Sequence, residues 1–153
     1  MKANFDGAVF ASSGEAGVGV VVQNENGEVM AALSEKIALP SSVEVLEMVA
    51  ARRAAVFAVE LGFQRVIFEG DAAGVIKALS MRDLALALAG HLVKDFMSIA
   101  DPLSTFSFSH TKRQGNNVAY ALIRGASFSF PLQVWIEDVP PNILNYIVED
   151  FPT

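Results

Sequence analysis

The stretch NFDGAVF, residues 4–10, decides the fold and raises the first question about function. Phe5, Val9 and Phe10 are typical of a buried strand, yet Asp6 lies among them. A buried carboxylate costs several kcal/mol unless it is paired, hydrogen-bonded or bound to a metal ion. Asp6 is therefore either a functional residue or part of a bulge or strand end beside Gly7.

The residues that follow this strand predict an antiparallel meander. GVGVVVQN (17–24) has the pattern of a second strand, and EVMAALSEKI (28–37) that of a third. Between them, Asn26 and Gly27 form a dipeptide typical of hairpin turns.

The rest of the chain alternates helical patterns with short strands. The predicted elements are a helix over 42–61, a strand over 65–70, a short helix after Asp71, a helical pattern over 84–100, a strand over 104–110 and a helix over 118–127. This order predicts an α/β domain with a mixed sheet and helices on both faces. We expect residues 1–130 to form the domain, and residues 131–153 to be a C-terminal extension that packs on it.

Composition narrows the class of protein. The chain has 153 residues, of which 52% are hydrophobic, and this suits one globular domain. It has no cysteine, which excludes disulfides and thiolate metal sites. The net charge of −6 argues against a dedicated nucleic-acid binder but allows a local basic patch. Since no targeting signal or membrane-length apolar run is seen, we expect an intracellular protein, nuclear or cytoplasmic, with no membrane partner.

Three carboxylates stand at positions that suit chemistry. Asp6 lies inside the first strand, Glu47 lies on the first helix in line with small alanines, and Asp71 follows the carboxyl end of strand 65–70. If the two strands are neighbours, the three carboxylates converge and attract divalent metal ions. Taken singly, Glu47 also fits a solvated helix residue and Asp71 an N-cap.

Longer motifs identify a family. FDGA in the first strand, EVLEMVAARRAAVFAVELGF in the first helix, VIFEGDAAGVIKAL after it and FSFSHTKRQGNNVAYALIRGA near the end stand in order. Together they resemble the reverse-transcriptase-like domains of the ribonuclease H (RNase H) family, which are abundant in plants and related to retroelements. The resemblance implies an RNase H-like fold with a five-stranded mixed sheet. It also implies a two-metal site that uses Mg²⁺ or Mn²⁺ to cleave the RNA strand of RNA–DNA hybrids.

Carried over by position, Asp6, Glu47 and Asp71 match the family's first three acidic ligands, which would make them both metal-binding and catalytic. The fourth-ligand position is Tyr120, and a phenol stays protonated at neutral pH. The polar loop before the last helix lacks the histidine of active members. His110 is near this loop, but its place at the end of strand 104–110 favours a structural role for it. The resemblance therefore implies weakened activity.

Substrate contacts are predicted for Lys112, Arg113 and Asn116, which flank the proposed cleft, although the two cations also fit solvated loop charges. Two functions follow. The first is a metal-dependent endoribonuclease whose partner is an RNA–DNA hybrid or other nucleic acid. The second is a catalytically inactive RNase H-like module that binds a protein or nucleic-acid partner.

Overall fold

The computed structural model describes residues 1–83, 90–126 and 131–136. The strands are β1 (Lys2–Phe10), β2 (Glu15–Gln23), β3 (Val29–Ala38), β4 (Arg65–Gly70), β5 (Thr105–His110) and β6 (Leu132–Ile136). The helices are α1 (Val43–Glu60), α2 (Ala73–Met81), α3 (Gly90–Ala100) and α4 (Asn117–Ala126), and a short 3-10 helix (Arg113–Asn116) precedes α4.

The strands form one mixed sheet in the order β5-β4-β1-β2-β3-β6. The first three strands are the predicted antiparallel meander, whereas β4 runs parallel to β1 and β5 runs parallel to β4. Gly27 has a φ of 78° in the turn between β2 and β3, a backbone conformation that glycine adopts readily. The predicted α/β class is confirmed.

The sheet has a sixth strand that was not predicted. Residues 132–136 pair antiparallel with β3 and form one edge of the sheet. The first residues of the proposed C-terminal extension are thus part of the domain's sheet. Residues 137–153, like the first part of the helical pattern predicted over 84–100, lie outside the described residues.

Helices cover the two faces of the sheet. Alternation along β1 directs Phe5 and Gly7 towards α1, and Asn4 and Asp6 towards α4. Gly19 of β2 lies opposite Asp6, and a Cβ atom there would clash with the backbone of α4. The absence of a side chain at Gly19 therefore lets α4 pack closely against the centre of the sheet.

The opening that holds the candidate site lies between β1 and β4. These strands pair over Lys2–Asn4 and Ile67–Glu69, and their pairing ends there. Beyond this point side chains replace β4 as hydrogen-bond partners of β1. The carbonyl oxygen of Phe5 accepts from Asn116, and the N–H of Gly7 donates to Asp6. None of the helices within the described ranges is both long and apolar enough to cross a membrane.

Candidate metal centre

The structure brings together the three carboxylates that the sequence predicted to converge. Asp6 lies in the middle of β1, Glu47 in the first half of α1, and Asp71 directly after β4. One oxygen from each lies within 4.8 Å of the others. The convergence arises because β1 and β4 are neighbours in the sheet and their pairing ends at Asn4 and Glu69, where Glu47 of α1 reaches the backbone of β1 at Gly7.

The alternative interpretations of these residues are wrong. The pairing of β1 with β2 continues without a bulge through Asp6. Glu47 is only 5% exposed, so it is not a solvated helix residue. The N-cap of α2 is Ala72, and no side chain caps this helix, so Asp71 is not a capping residue.

Gly7 links two of the carboxylates, and sequence reasoning missed its role. Its backbone N–H donates to Oδ1 of Asp6 at 2.9 Å and to Oε1 of Glu47 at 3.3 Å. A Cβ atom at Gly7 would lie 2.6 Å from Cγ of Leu46, so the missing side chain allows α1 to approach β1. The signal in the sequence was a glycine directly after an acid within a strand.

The site is short of positive charge. Burial and the neighbouring charges of Asp6 and Asp71 raise the pKa of Glu47 to about 8. Burial and the charge of Asp71 raise the pKa of Asp6 to about 6, although Arg113 opposes this rise. Oε2 of Glu47 is buried and has no hydrogen-bond partner among the described residues. A divalent cation would relieve both the repulsion and this unsatisfied oxygen.

Arg113 reaches into the site from the 3-10 helix. Its Nη1 lies 2.7 Å from Oδ2 of Asp6, and its Nε lies 3.6 Å from Oδ2 of Asp71. Its Cζ lies 4.6 Å from the ring centroid of Tyr120, a cation–π distance. The side chain predicted to contact substrate therefore lies between two of the carboxylates and Tyr120, the predicted fourth-ligand position.

Asn116 is buried against β1, and its predicted substrate contact stays a prediction. Its Nδ2 donates to the carbonyl oxygen of Phe5 at 2.8 Å, and its Oδ1 accepts from Asn4 at 3.1 Å. The side chain is 1% exposed and its amide binds β1, so it positions the start of α4. Lys112 is exposed, and its role stays a prediction.

His110 lies beside the site at the end of β5. Its Nε2 is 3.3 Å from the carbonyl oxygen of Asp71. His110 also stands opposite Gly70, the residue before Asp71, in the pairing of β4 with β5. These contacts agree with the structural role expected for this histidine.

Solved structures with the same fold include RNase H1 proteins and an RNase H domain. The RNase H1 of the archaeon Halobacterium salinarum NRC-1 is 26% identical, with a TM-score of 0.75 over 83% of this chain and 96% of that chain. The N-terminal RNase H domain of rv2228c from Mycobacterium tuberculosis is 23% identical, with a TM-score of 0.69 over 82% and 92%. LC11-RNase H1, solved in complex with an RNA/DNA hybrid, is 22% identical, with a TM-score of 0.66 over 84% and 99%.

Sequence comparison points to the same group of proteins. No curated protein matches the chain. The family model described as "Reverse transcriptase-like" matches residues 4–126, which include all three clustered carboxylates and Tyr120. The chain therefore belongs to the reverse transcriptase-like family of RNase H domains.

Proposed function

We propose that this domain binds RNA–DNA hybrids and cleaves their RNA strand with the help of Mg²⁺ or Mn²⁺, at an activity lowered by the loss of one acidic ligand. The observation that carries the proposal is the cluster of Asp6, Glu47 and Asp71, with one oxygen of each within 4.8 Å. Carboxylate oxygens are the ligands that these hard cations prefer.

The residues present fit a divalent metal ion. Oε2 of Glu47 is a buried oxygen without a hydrogen-bond partner, and it belongs to a carboxylate whose pKa is raised by burial and repulsion. When bound, divalent ions in such sites activate water and stabilise the leaving oxygen of a phosphodiester. Asp6, Glu47 and Asp71 would hold the ions, and the N–H of Gly7 orients two of these carboxylates.

Two cations near the cluster support a nucleic-acid partner. Lys112 and Arg113 are exposed at the start of the 3-10 helix, and Arg113 reaches the carboxylates. Phosphate contacts of this kind strengthen binding without reading sequence. The fold shared with LC11-RNase H1, which was solved with an RNA/DNA hybrid, supports the choice of partner.

Tyr120 is the reason to propose lowered activity. It stands where the family's fourth acidic ligand would lie, and a neutral phenol is a poorer ligand than a carboxylate. Loss of the fourth ligand weakens the second ion most. We therefore expect low or absent cleavage with Mg²⁺ and detectable cleavage with Mn²⁺.

The test is cleavage of a hybrid whose RNA strand carries an end label, measured with Mg²⁺ and with Mn²⁺. Asp6→Asn is the matched variant, because it keeps the shape of the side chain and removes its charge. We expect the unaltered protein to cleave the hybrid with Mn²⁺, and Asp6→Asn to lose this cleavage. Equal activity in the two proteins would contradict the assignment of a metal-dependent ribonuclease.

A second candidate is a catalytically inactive RNase H-like module that binds a protein or nucleic-acid partner. The contact of the Arg113 guanidinium with Asp6, Asp71 and the Tyr120 ring favours it, since a cation already lies on the carboxylates. Tyr120→Asp separates the two candidates. A silent unaltered protein with an active Tyr120→Asp variant would show that the site has lost activity through this position.

A further inference from the structure

Arg113 places a positive charge on the carboxylate cluster. We propose that Arg113 is an internal counter-ion of the metal centre, seated against Tyr120, and that a divalent ion must displace it from Asp6 and Asp71. This inference rests on the proposed metal-dependent function. It concerns the regulation of that site by a residue of the chain itself.

The contacts show which carboxylate oxygens the Arg113 guanidinium approaches. The Arg113 Nη1 lies 2.7 Å from Oδ2 of Asp6, and the Arg113 Nε lies 3.6 Å from Oδ2 of Asp71. These oxygens belong to two of the three carboxylates that can bind a metal ion together. An ion that binds both residues through these oxygens meets the guanidinium at the same place, so the two cations compete.

Tyr120 favours the guanidinium over a metal ion. The Arg113 Cζ lies 4.6 Å from the centre of the Tyr120 ring, where the electron-rich face attracts a cation. A carboxylate at this position would instead supply a further anionic oxygen to a metal ion. Tyrosine at position 120 therefore shifts the preference of the site from a divalent ion towards the arginine.

The guanidinium leaves part of the cluster unsatisfied, so the site can still bind an ion. Oε2 of Glu47 and Oδ2 of Asp71 have no hydrogen-bond partner among the described residues, although the Arg113 Nε lies 3.6 Å from the Asp71 oxygen. The side chain of Arg113 is 59% exposed and can leave without opening the core. Displacement frees a guanidinium at the rim of the site, where it can donate to a phosphate.

The experiment measures Mn²⁺ affinity of the full chain by titration calorimetry. Arg113→Gln removes the guanidinium, and Lys112→Gln removes a neighbouring exposed charge. We expect Arg113→Gln to bind Mn²⁺ about tenfold more tightly than the unaltered protein, and Lys112→Gln to change the affinity less than about twofold. Tyr120→Leu should tighten binding by about two- to fivefold, whereas Tyr120→Phe, which keeps the ring, should not.

A second readout follows the arginine itself. Addition of diamagnetic Mg²⁺ should shift the NMR signal of the Arg113 Nε–H group, and this shift should disappear in Asp6→Asn. Equal affinities for Arg113→Gln and Lys112→Gln, or an unmoved Arg113 signal at saturating Mg²⁺, would overturn the counter-ion role.

The outcomes separate this inference from the proposed function. If the variants show the expected Mn²⁺ affinities but no protein cleaves a hybrid, the counter-ion role stands and the ribonuclease assignment falls. If hybrid cleavage is found while Arg113→Gln leaves Mn²⁺ affinity unchanged, the ribonuclease assignment stands and the counter-ion role falls. If no variant binds Mn²⁺, both are overturned.

Discussion

The backbone N–H of Gly7 lies 3.3 Å from Oε1 of Glu47, although the two residues are 40 positions apart in the chain. The same N–H donates to Asp6 at 2.9 Å, so one backbone group orients carboxylates from a strand and a helix. The distance depends on close packing of α1 on β1, which the missing side chain of Gly7 permits. The geometry of the site thus depends on a residue that carries no functional group.

Gly7→Ala should destabilise the protein and loosen the site. The added Cβ would lie 2.6 Å from Cγ of Leu46, so either this buried side chain or α1 itself must shift. We expect the free energy of unfolding in urea to fall by about 1–3 kcal/mol, and Mn²⁺ affinity to fall as well. Gly74→Ala is the control, because a Cβ on this α2 residue meets nothing within 4 Å. A loss in Gly74→Ala equal to that in Gly7→Ala would contradict the packing argument.

The metal-free protein should become less stable as the pH rises from about 4.5 to about 8. Burial and carboxylate repulsion raise the pKa of Glu47 from 4.5 to about 8, so in this range the folded state binds more protons than the unfolded state. Stability contributed by the protonated group is present at low pH and is lost as the pH rises through the folded-state pKa. Urea unfolding in the presence of a chelator, repeated across this range, measures the slope.

Glu47→Gln should remove most of that slope. It replaces the buried carboxylate by a neutral amide, so the variant should be more stable than the unaltered protein at pH 8 by at least about 1 kcal/mol, or roughly 2–4 °C in Tm. Glu44→Gln, an exposed change on the same helix, serves as the control and should leave the slope in place. An unchanged slope in Glu47→Gln would show that another group causes the pH dependence.

Binding of Mn²⁺ should strengthen as the pH rises. Metal ligands must lose their protons, and the pKa values of Asp6 and Glu47 are raised to about 6 and about 8. We expect the affinity to increase by at least about tenfold between pH 6 and pH 8, with release of protons. Calorimetric titrations in buffers of different ionisation enthalpy measure both quantities. Affinity that is constant over this range, without proton release, would contradict the assignment of these ligands.

Asn116→Ala should destabilise the junction between β1 and α4. The buried amide donates to the carbonyl oxygen of Phe5 and accepts from Asn4, and its removal leaves these groups without this partner. The expected loss is about 1–3 kcal/mol in the free energy of unfolding. Gln114→Ala, at an exposed position in the same 3-10 helix, should change stability far less. Equal losses would argue against the role of the Asn116 amide.

Local pattern was enough to predict most of the elements and the three clustered carboxylates. Alternating apolar residues mark β1 to β3, and Asp6 stands out because a strand interior disfavours an acid. Strand β6 was missed, because its pairing with β3 depends on residues about 100 positions away. A short edge strand carries little local signal.

The sequence by itself determined the order of the helices and of strands β1 to β5, the family and the positions of Asp6, Glu47 and Asp71. It did not determine where side chains from the loop after β5 would point. Arg113 binds Asp6 across 107 positions, and Asn116 binds Phe5 across 111. Only the tertiary structure decided that Arg113 reaches the carboxylates while Asn116 is buried. Packing of α4 against the sheet sets the distances of both side chains from β1.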